Sequence, residues 1–500
     1  MRRAAQFFFA SIFLVLFVQT RYPAPEARHL DLFLLFTPLL PFVAVTGLLF
    51  GRGFCSWVCP MGALIDIGNR IFGPGTTATT YGWCERLRPV PIVLFIFLMV
   101  PLLFGINIVF FLDPLALFNR ILTVVLFPLF TWFIPGVLHL FGIIPGLAGV
   151  SSGMQSAWER WIVPEGPNML IHIWPVALLL AVIWALEFAS PRFWCRFICP
   201  AGTLLGRVSR GSRFGRRVSE TCVKCGNCHR ICPMGAIPAG AFDQTRPEVC
   251  TNCLDCAKSC PGEVAAISFG FGSGAGKHLP SPPLVSSRRN FIGAVAGGIV
   301  TTGLFKAGLS NRDDSAQLIR PPGALPESTF LLLCVKCMAC VRVCRSNGGC
   351  LQPGQIHGSL LELWSPEAVM RSGYCEFNCN LCGRACLSGA IRRLPIAEKQ
   401  KTCMGQAFFR KDICIPHNRH EDCLVCEEHC PVPDKAIKFE NREFTKPDGS
   451  AVKVKLPYVD RKLCIGCGIC ENKCPLPGQG GIYVTGEDAR RSKGKMQSIY

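Results

Sequence analysis

CVKCGNCHRICP at residues 222–233 and CTNCLDCAKSCP at residues 250–261 decide how this chain is read. Each follows the spacing C-x2-C-x2-C-x3-C-P, in which three close thiolates grip one [4Fe-4S] cubane and the fourth reaches a neighbouring cluster. The crossed rule assigns Cys222, Cys225, Cys228 and Cys260 to one cluster and Cys250, Cys253, Cys256 and Cys232 to another. Crossed ligation ties both halves together, which lets so short a segment fold with little core. Cys225-Gly-Asn-Cys228-His229 also matches the C-x-x-C-H haem attachment pattern. That reading breaks the cysteine run on both sides and needs a periplasmic address that the basic loops upstream contradict.

The run recurs. Of 31 cysteines, 26 lie after residue 200. Cys334, Cys337, Cys340 and Cys344 repeat the spacing, and Cys375, Cys379, Cys382 and Cys386 repeat it with one widened gap. Cys414, Cys423, Cys426 and Cys430 precede Pro431 with a wide first gap, and Cys464, Cys467, Cys470 and Cys474 precede Pro475 with regular spacing. A loop inserted between ligands is cheap, so widened gaps do not disqualify a site. The crossed rule pairs Cys334, Cys337, Cys340 with Cys386; Cys375, Cys379, Cys382 with Cys344; Cys414, Cys423, Cys426 with Cys474; and Cys464, Cys467, Cys470 with Cys430. The expectation is therefore about six [4Fe-4S] clusters. Disulfide scaffolds belong to small secreted domains and need no such regularity. Cys84, Cys350 and Cys403 have no repeat partners and read as small buried hydrophobes. The formal charge of +19 falls to about +7 once each cluster brings roughly two negative charges, so no nucleic-acid partner is needed.

The amino-terminal half is of another kind. Half of the chain's residues are hydrophobic, 17% are charged, and the long apolar runs lie before about residue 190. Membrane spans are expected at Met1–Gln19, read as an uncleaved first helix, and at Leu32–Leu49, Val90–Phe111 and Leu170–Ala189. Leu115–Leu147 is apolar but interrupted by Asp113, Arg120, Pro128 and Pro135, and reads as interfacial or re-entrant helices, with two further spans as the alternative. Arginines cluster before the first span, between the second and third, and after the last, so an even number of spans keeps them all inside. His29, Asp31, His139, His172 and Glu187 lie at or near helix ends and are weak quinone contacts. Two inner ends carry one device: GFCSWVCPMGAL, with Cys55 and Cys59, and FWCRFICPAGTLL, with Cys195 and Cys199. Four-residue spacing puts each pair of thiols on one helical turn, and proline stops the helix after it. The four cysteines could hold one additional iron–sulfur centre.

From about Gly270 to Pro326 the chain is rich in Gly, Ser and Pro, as linkers are. Ser287, Arg288, Arg289, Asn290 and Phe291, followed by a mildly apolar run, read as an internal twin-arginine export signal. Phe291–Phe305 would then cross the membrane outward, and the chain beyond about Leu318 would be periplasmic.

The two C-x3-C-P devices and the following two-cluster module resemble NapH, the membrane quinol-oxidising component of periplasmic nitrate reductase systems. The segment from Ser286 onward, with its arginine pair and wide Cys414–Cys423 gap, is similar to the four-cluster protein NapG. MauM and MauN resemble the same pair, and the NosR group shares the membrane part. The resemblance implies electron flow from membrane quinol to a periplasmic reductase or cytochrome, with quinone as substrate. The expected fold is a polytopic α-helical membrane domain plus α+β ferredoxin-like 2[4Fe-4S] modules: a transmembrane domain at 1–215, a cytoplasmic two-cluster domain at 216–270, a linker at 271–325 and a periplasmic four-cluster domain at 326–500, anchored in the inner membrane. The alternatives are an all-cytoplasmic polyferredoxin and an electron-donating maturation factor for another metalloprotein.

Overall fold

A computed structural model describes residues 2, 4–6, 8–9, 11, 45, 47–71, 84, 86–144, 148–161, 173–262, 265–271, 288–307, 318–357, 359–445 and 451–491. They fall into two compact units, Met1–Ile121 with Trp174–Leu304, and Leu122–Ile173 with Phe305–Tyr500.

The expected spans at Met1–Gln19 and Leu32–Leu49 lie largely outside the described residues, as do His29, Asp31 and His172. The helices that follow are α1 (Pro60–Ile71), α2 (Val90–Leu103), α3 (Pro114–Gly142), α4 (Ala148–Trp161), α5 (Trp174–Ala189), α6 (Pro200–Val208) and α7 (Arg288–Ala307). The expected span Val90–Phe111 is shorter than read: α2 stops at Leu103, Gly105 turns the chain with φ +82°, and a single 3-10 turn covers Val109–Phe111. Of Leu170–Ala189, α5 takes 16 residues. Both fall below the roughly 20 residues that cross a bilayer untilted.

Leu115–Leu147, read as interfacial or re-entrant helices, is mostly one long helical stretch with a π-helical segment inside it. α3 spans 29 residues, with that π-helical segment at Leu122–Leu126, and is the one helix among the described residues long and apolar enough to cross a membrane. Each supposed interruption is absorbed. The Asp113 carboxylate caps the helix by accepting from the Ala116 and Leu115 amides at 2.8 and 3.2 Å. Arg120 is fully buried and donates to the Phe110 carbonyl. Pro128 follows a π-turn at Leu122–Leu126, where the backbone ladder is already altered, and Pro135 is carried inside the helix.

In the first unit, α1 and α5 touch at Gly68, where an added Cβ would meet the Trp184 indole at 2.2 Å, and Asn69 donates to Glu187 at 2.8 Å. α7 lies on α2 through Gly298, whose Cβ would meet Val100, with Ala294 and Thr302 buried one turn to either side. Strands β1 (Phe214–Val218) and β2 (Ile267–Phe271) pair antiparallel, Phe214 opposite Phe271 and Val218 opposite Ile267. They enclose a small core of Cys228, Cys232, Met234, Ala236, Ile237 and Cys256.

The second unit repeats this plan with very little regular structure. Its strands are β3 (Leu351–Pro353), β4 (Pro366–Ala368), β5 (Gln406–Phe409), β6 (Ile437–Thr445), β7 (Ala451–Val459) and β8 (Ile482–Thr485), paired antiparallel as β3–β4, β5–β8 and β6–β7. Four short helices, Ala339–Cys344, Leu381–Ala385, Val425–Glu428 and Ile469–Lys473, each carry the third cysteine of a run. Cysteine cradles joined by short helices and two-stranded sheets are what ferredoxin-type domains consist of.

Candidate iron–sulfur sites

The four regular runs share one backbone shape. In each, the two residues flanking the middle cysteine adopt positive φ: Lys224 and Gly226, Asn252 and Leu254, Lys336 and Met338, Gly466 and Gly468, all between 49° and 77°. Left-handed residues on both sides of one cysteine curl the loop into a cup, and five of the eight are not glycine, so the cup is held at some conformational cost. Four of the six fourth cysteines share another device. Backbone amides donate to the sulfurs of Cys232 from Ala236 (3.3 Å), Cys386 from Ile391 (3.3 Å), Cys430 from Ala436 (3.4 Å) and Cys474 from Gly481 (3.2 Å).

Three small pockets lie among these cysteines. One is lined by Cys414, Cys423, Cys426 and Cys474, the second by Cys430, Cys464, Cys467 and Cys470, and the third by Cys232, Cys250, Cys253 and Cys256. Each joins three cysteines of one run to the fourth of another. Elsewhere Cys334, Cys337 and Cys340 lie within electrostatic reach of Cys386, and Cys375, Cys379 and Cys382 within reach of Cys344. Cys222 and Cys225 act on Cys228, and Cys260 follows the helix Asp255–Lys258, which packs on Asn227–Ile231.

All 31 cysteines are free thiols. Among the described residues no group of three ligand side chains closes on one point that would hold a single ion. Burial pushes the Cys250 and Cys467 thiols up to about 12 and Cys464 upward as well. Such thiols give up their protons to iron, not to water. The donor set fits [4Fe-4S] clusters, which when bound supply one-electron transfer.

The two C-x3-C-P devices form a further site in the first unit. Cys55 sits in the short helix Gly53–Trp57, Cys195 in a π-turn at Trp194–Ile198, and both pairs end at the start of a helix. Pro60 and Pro200 thus open α1 and α6, where their missing N–H costs nothing, and do more than stop a helix. The Gly202 amide donates to the Cys199 sulfur at 3.3 Å. The four thiols converge: Cys59 and Cys199 each feel Cys55 and Cys195.

Sequence reading missed the arginines here. Arg52 and Arg192 each stand three residues before the first cysteine of a device, a match visible on extending the repeat outward. Arg52, buried, donates to the carbonyls of Cys195 (2.9 Å) and Glu248 (3.2 Å). Arg192, also buried, forms an ion pair with Asp66 at 2.7 Å and reaches both Cys195 and Cys253 electrostatically. Cys195 packs on the core around Cys232 and Cys256. This site and the Cys250 cavity are therefore neighbours.

In the second unit the cradles stand in a row. Cys340 feels Cys382, the Cys375 amide donates to the Cys467 carbonyl at 2.8 Å, and Cys470 feels Cys426. The order is Cys334, Cys375, Cys464, Cys414, naming each cradle by its first cysteine. Of the cysteines without repeat partners, Cys84 is simply buried, Cys403 bonds the Gly405 carbonyl, and Cys350 stands 3.9 Å from the Cys344 sulfur, inside a cradle. His229, the decoy haem histidine, has its Nδ1 on the Ile237 carbonyl at 2.7 Å. His139 is exposed on α3.

These sites match known proteins. A family model described as a 4Fe-4S binding domain matches residues 32–77 and 171–218, covering both C-x3-C-P devices, and a second so described matches residues 217–237 and 457–476. The ferredoxin-type protein MauM of Methylorubrum extorquens is 35% identical over 171 residues, which are 34% of this chain and 73% of that protein. MauM of Paracoccus denitrificans is 35% identical over 183 residues, 35% of this chain and 73% of that protein. NapG of Haemophilus influenzae is 30% identical over 220 residues, 40% of this chain and 72% of that protein. The chain belongs to the MauM/NapG family of ferredoxin-type proteins. No solved structure matches it. As a MauM/NapG-type polyferredoxin it is an iron–sulfur electron-transfer protein that binds 4Fe-4S clusters.

Proposed function

We propose that this polyferredoxin is a multi-pass inner-membrane protein that takes electrons from quinol and delivers them to a periplasmic reductase or cytochrome. The observation that carries the reading is the arrangement of cysteine cradles in file. Three stand in the first unit, from the C-x3-C-P site through the Cys250 cradle to the Cys222 cradle, and four in the second. The chain's own part is to hold each centre by four thiols, exclude water with apolar walls and donate amides to sulfur.

The ligands proposed are the crossed sets named from the sequence, with Cys55, Cys59, Cys195 and Cys199 as an additional 4Fe-4S centre beside the membrane. Support for a membrane setting comes from α3 and from α2 and α5, apolar helices that expose Trp132, Phe133, Leu103 and Trp174. The amino-terminal part acts as a NapH-like quinol module fused to a NapG-like one, with Arg288 and Arg289 opening the export segment.

The test is anaerobic purification in detergent followed by a reduced menaquinone analogue, with cluster reduction read by EPR and visible bleaching. Prompt reduction is expected. Clusters that dithionite reduces but quinol does not would end the quinol reading. Reporter fusions after Gly274 and after Tyr500 should report opposite sides of the membrane; the same side would overturn export.

A further inference from the structure

The cradles of the second unit differ in their electrical surroundings. Those of Cys414 and Cys464 have cavities lined by cysteine and apolar residues alone. In the Cys334 cradle, Lys336 donates to the Leu361 carbonyl at 2.7 Å, and Arg342 acts on Cys337 through its charge. The Cys375 cradle is different. Lys399 is 2% exposed, comparable to Lys336 at 1%, but its ammonium donates to the carbonyls of Glu376 and Phe377 beside Cys375, and its charge acts on both Cys375 and Cys379. Cys350, also 2% exposed, stands 3.9 Å from the Cys344 sulfur. Asn347 donates to Cys379 at 3.4 Å.

A cluster gains one negative charge on reduction. A buried cation and hydrogen bonds to its sulfurs favour that reduced state more than the oxidised one, and so raise its potential. We infer that Lys399 and Cys350 make the Cys344, Cys375, Cys379 and Cys382 cradle the site of highest reduction potential among the four of the second unit. The inference rests on the reading that these cysteines hold a cluster. It gives the row an internal resting place for an electron, since this cradle touches both the Cys334 and the Cys464 cradles. Lys399 and Cys350 are positioning residues that act through the ligand sulfurs.

The test is a potentiometric EPR titration of the full-length protein, comparing wild type with Lys399→Met, Lys399→Arg, Cys350→Ala and Cys350→Ser, with iron counted in each. The most positive wave should fall in Lys399→Met and in Cys350→Ala by about tenfold in the reduction equilibrium, or about 59 mV for a one-electron couple. Lys399→Arg and Cys350→Ser, which keep a charge and a donor, should stay nearer to wild type, and the other waves should not move. Where Lys399→Met loses iron, Cys350→Ala and Lys399→Arg still decide. A most positive wave unmoved at full iron content, or movement confined to another wave, overturns the inference. A Cys379→Ala protein that keeps all its iron would instead sink the underlying reading that this cradle holds a cluster.

Discussion

At the scale of single residues, the C-x3-C-P site depends on what stands between its cysteines as much as on the thiols. A Cβ on Gly62 would lie 2.5 Å from the Cys55 carbonyl, and one on Gly202 would lie 2.7 Å from the Arg52 guanidinium. The first obstacle is backbone and cannot give; the second is the end of a flexible side chain. Gly62→Val should therefore cost about four iron atoms per chain, counted after anaerobic purification, while Gly202→Val costs less. Asp66 is the partner of a fully buried guanidinium. Asp66→Asn leaves Arg192 uncompensated and should destabilise the protein by about 3–5 kcal/mol in denaturant unfolding, and pairing Asp66→Leu with Arg192→Met should recover much of the loss. The cysteine runs were legible because cluster chemistry dictates their spacing. Arg52 and Arg192 were legible only to a reader who carried the repeat three residues further. Cys350 and Lys399 were not, because tertiary folding alone brings a residue six positions after Cys344 and one 24 positions after Cys375 to the same cradle.

At the scale of elements, sequence periodicity reads helices well and helix continuity poorly. Asp113, Arg120, Pro128 and Pro135 each look like a break in α3, yet a cap, an internal hydrogen bond and a π-turn accommodate them, and none of these devices shows in composition. The cups around the middle cysteines were largely hidden, because Lys224, Leu254, Lys336 and Met338 are residues that do not ordinarily advertise positive φ, Asn252 being the exception. Lys224, at φ +53° and exposed, isolates the effect of backbone shape from packing. Lys224→Gly should hold or raise stability, whereas Lys224→Val should lower it by about 1–2 kcal/mol and loosen the cluster held by Cys222, Cys225 and Cys228. Thermal bleaching of the iron–sulfur absorption reads both, and equal melting of the two variants would mean that the left-handed turn carries no strain.

At the scale of the whole molecule, the question that separates readings is how many centres the chain carries. The spacing rules alone give six crossed cradles and leave the fourfold convergence of Cys55, Cys59, Cys195 and Cys199 undecided, since paired cysteines in apolar surroundings are often no more than small hydrophobes. Two observations now favour a seventh: both pairs take the same Cys-Pro helix start, and the 4Fe-4S binding domain match spans both segments. A buried arginine next to each pair also supplies positive charge where four thiolates and a cluster would be net negative. Seven centres of four irons predict about 28 iron atoms per chain, and replacing Cys55 and Cys195 by Ala should bring this to about 24 with the other EPR signals intact. On the quinol reading proposed above, the same double substitution should abolish reduction by quinol while leaving reduction by dithionite untouched, because it removes the cradle at which electrons would enter the first file and nothing beyond it. A wild-type protein with about 24 irons, unchanged by the substitution, would return these cysteines to packing and move the point of electron entry to the Cys250 cradle, which Arg192 already links to the same helix ends.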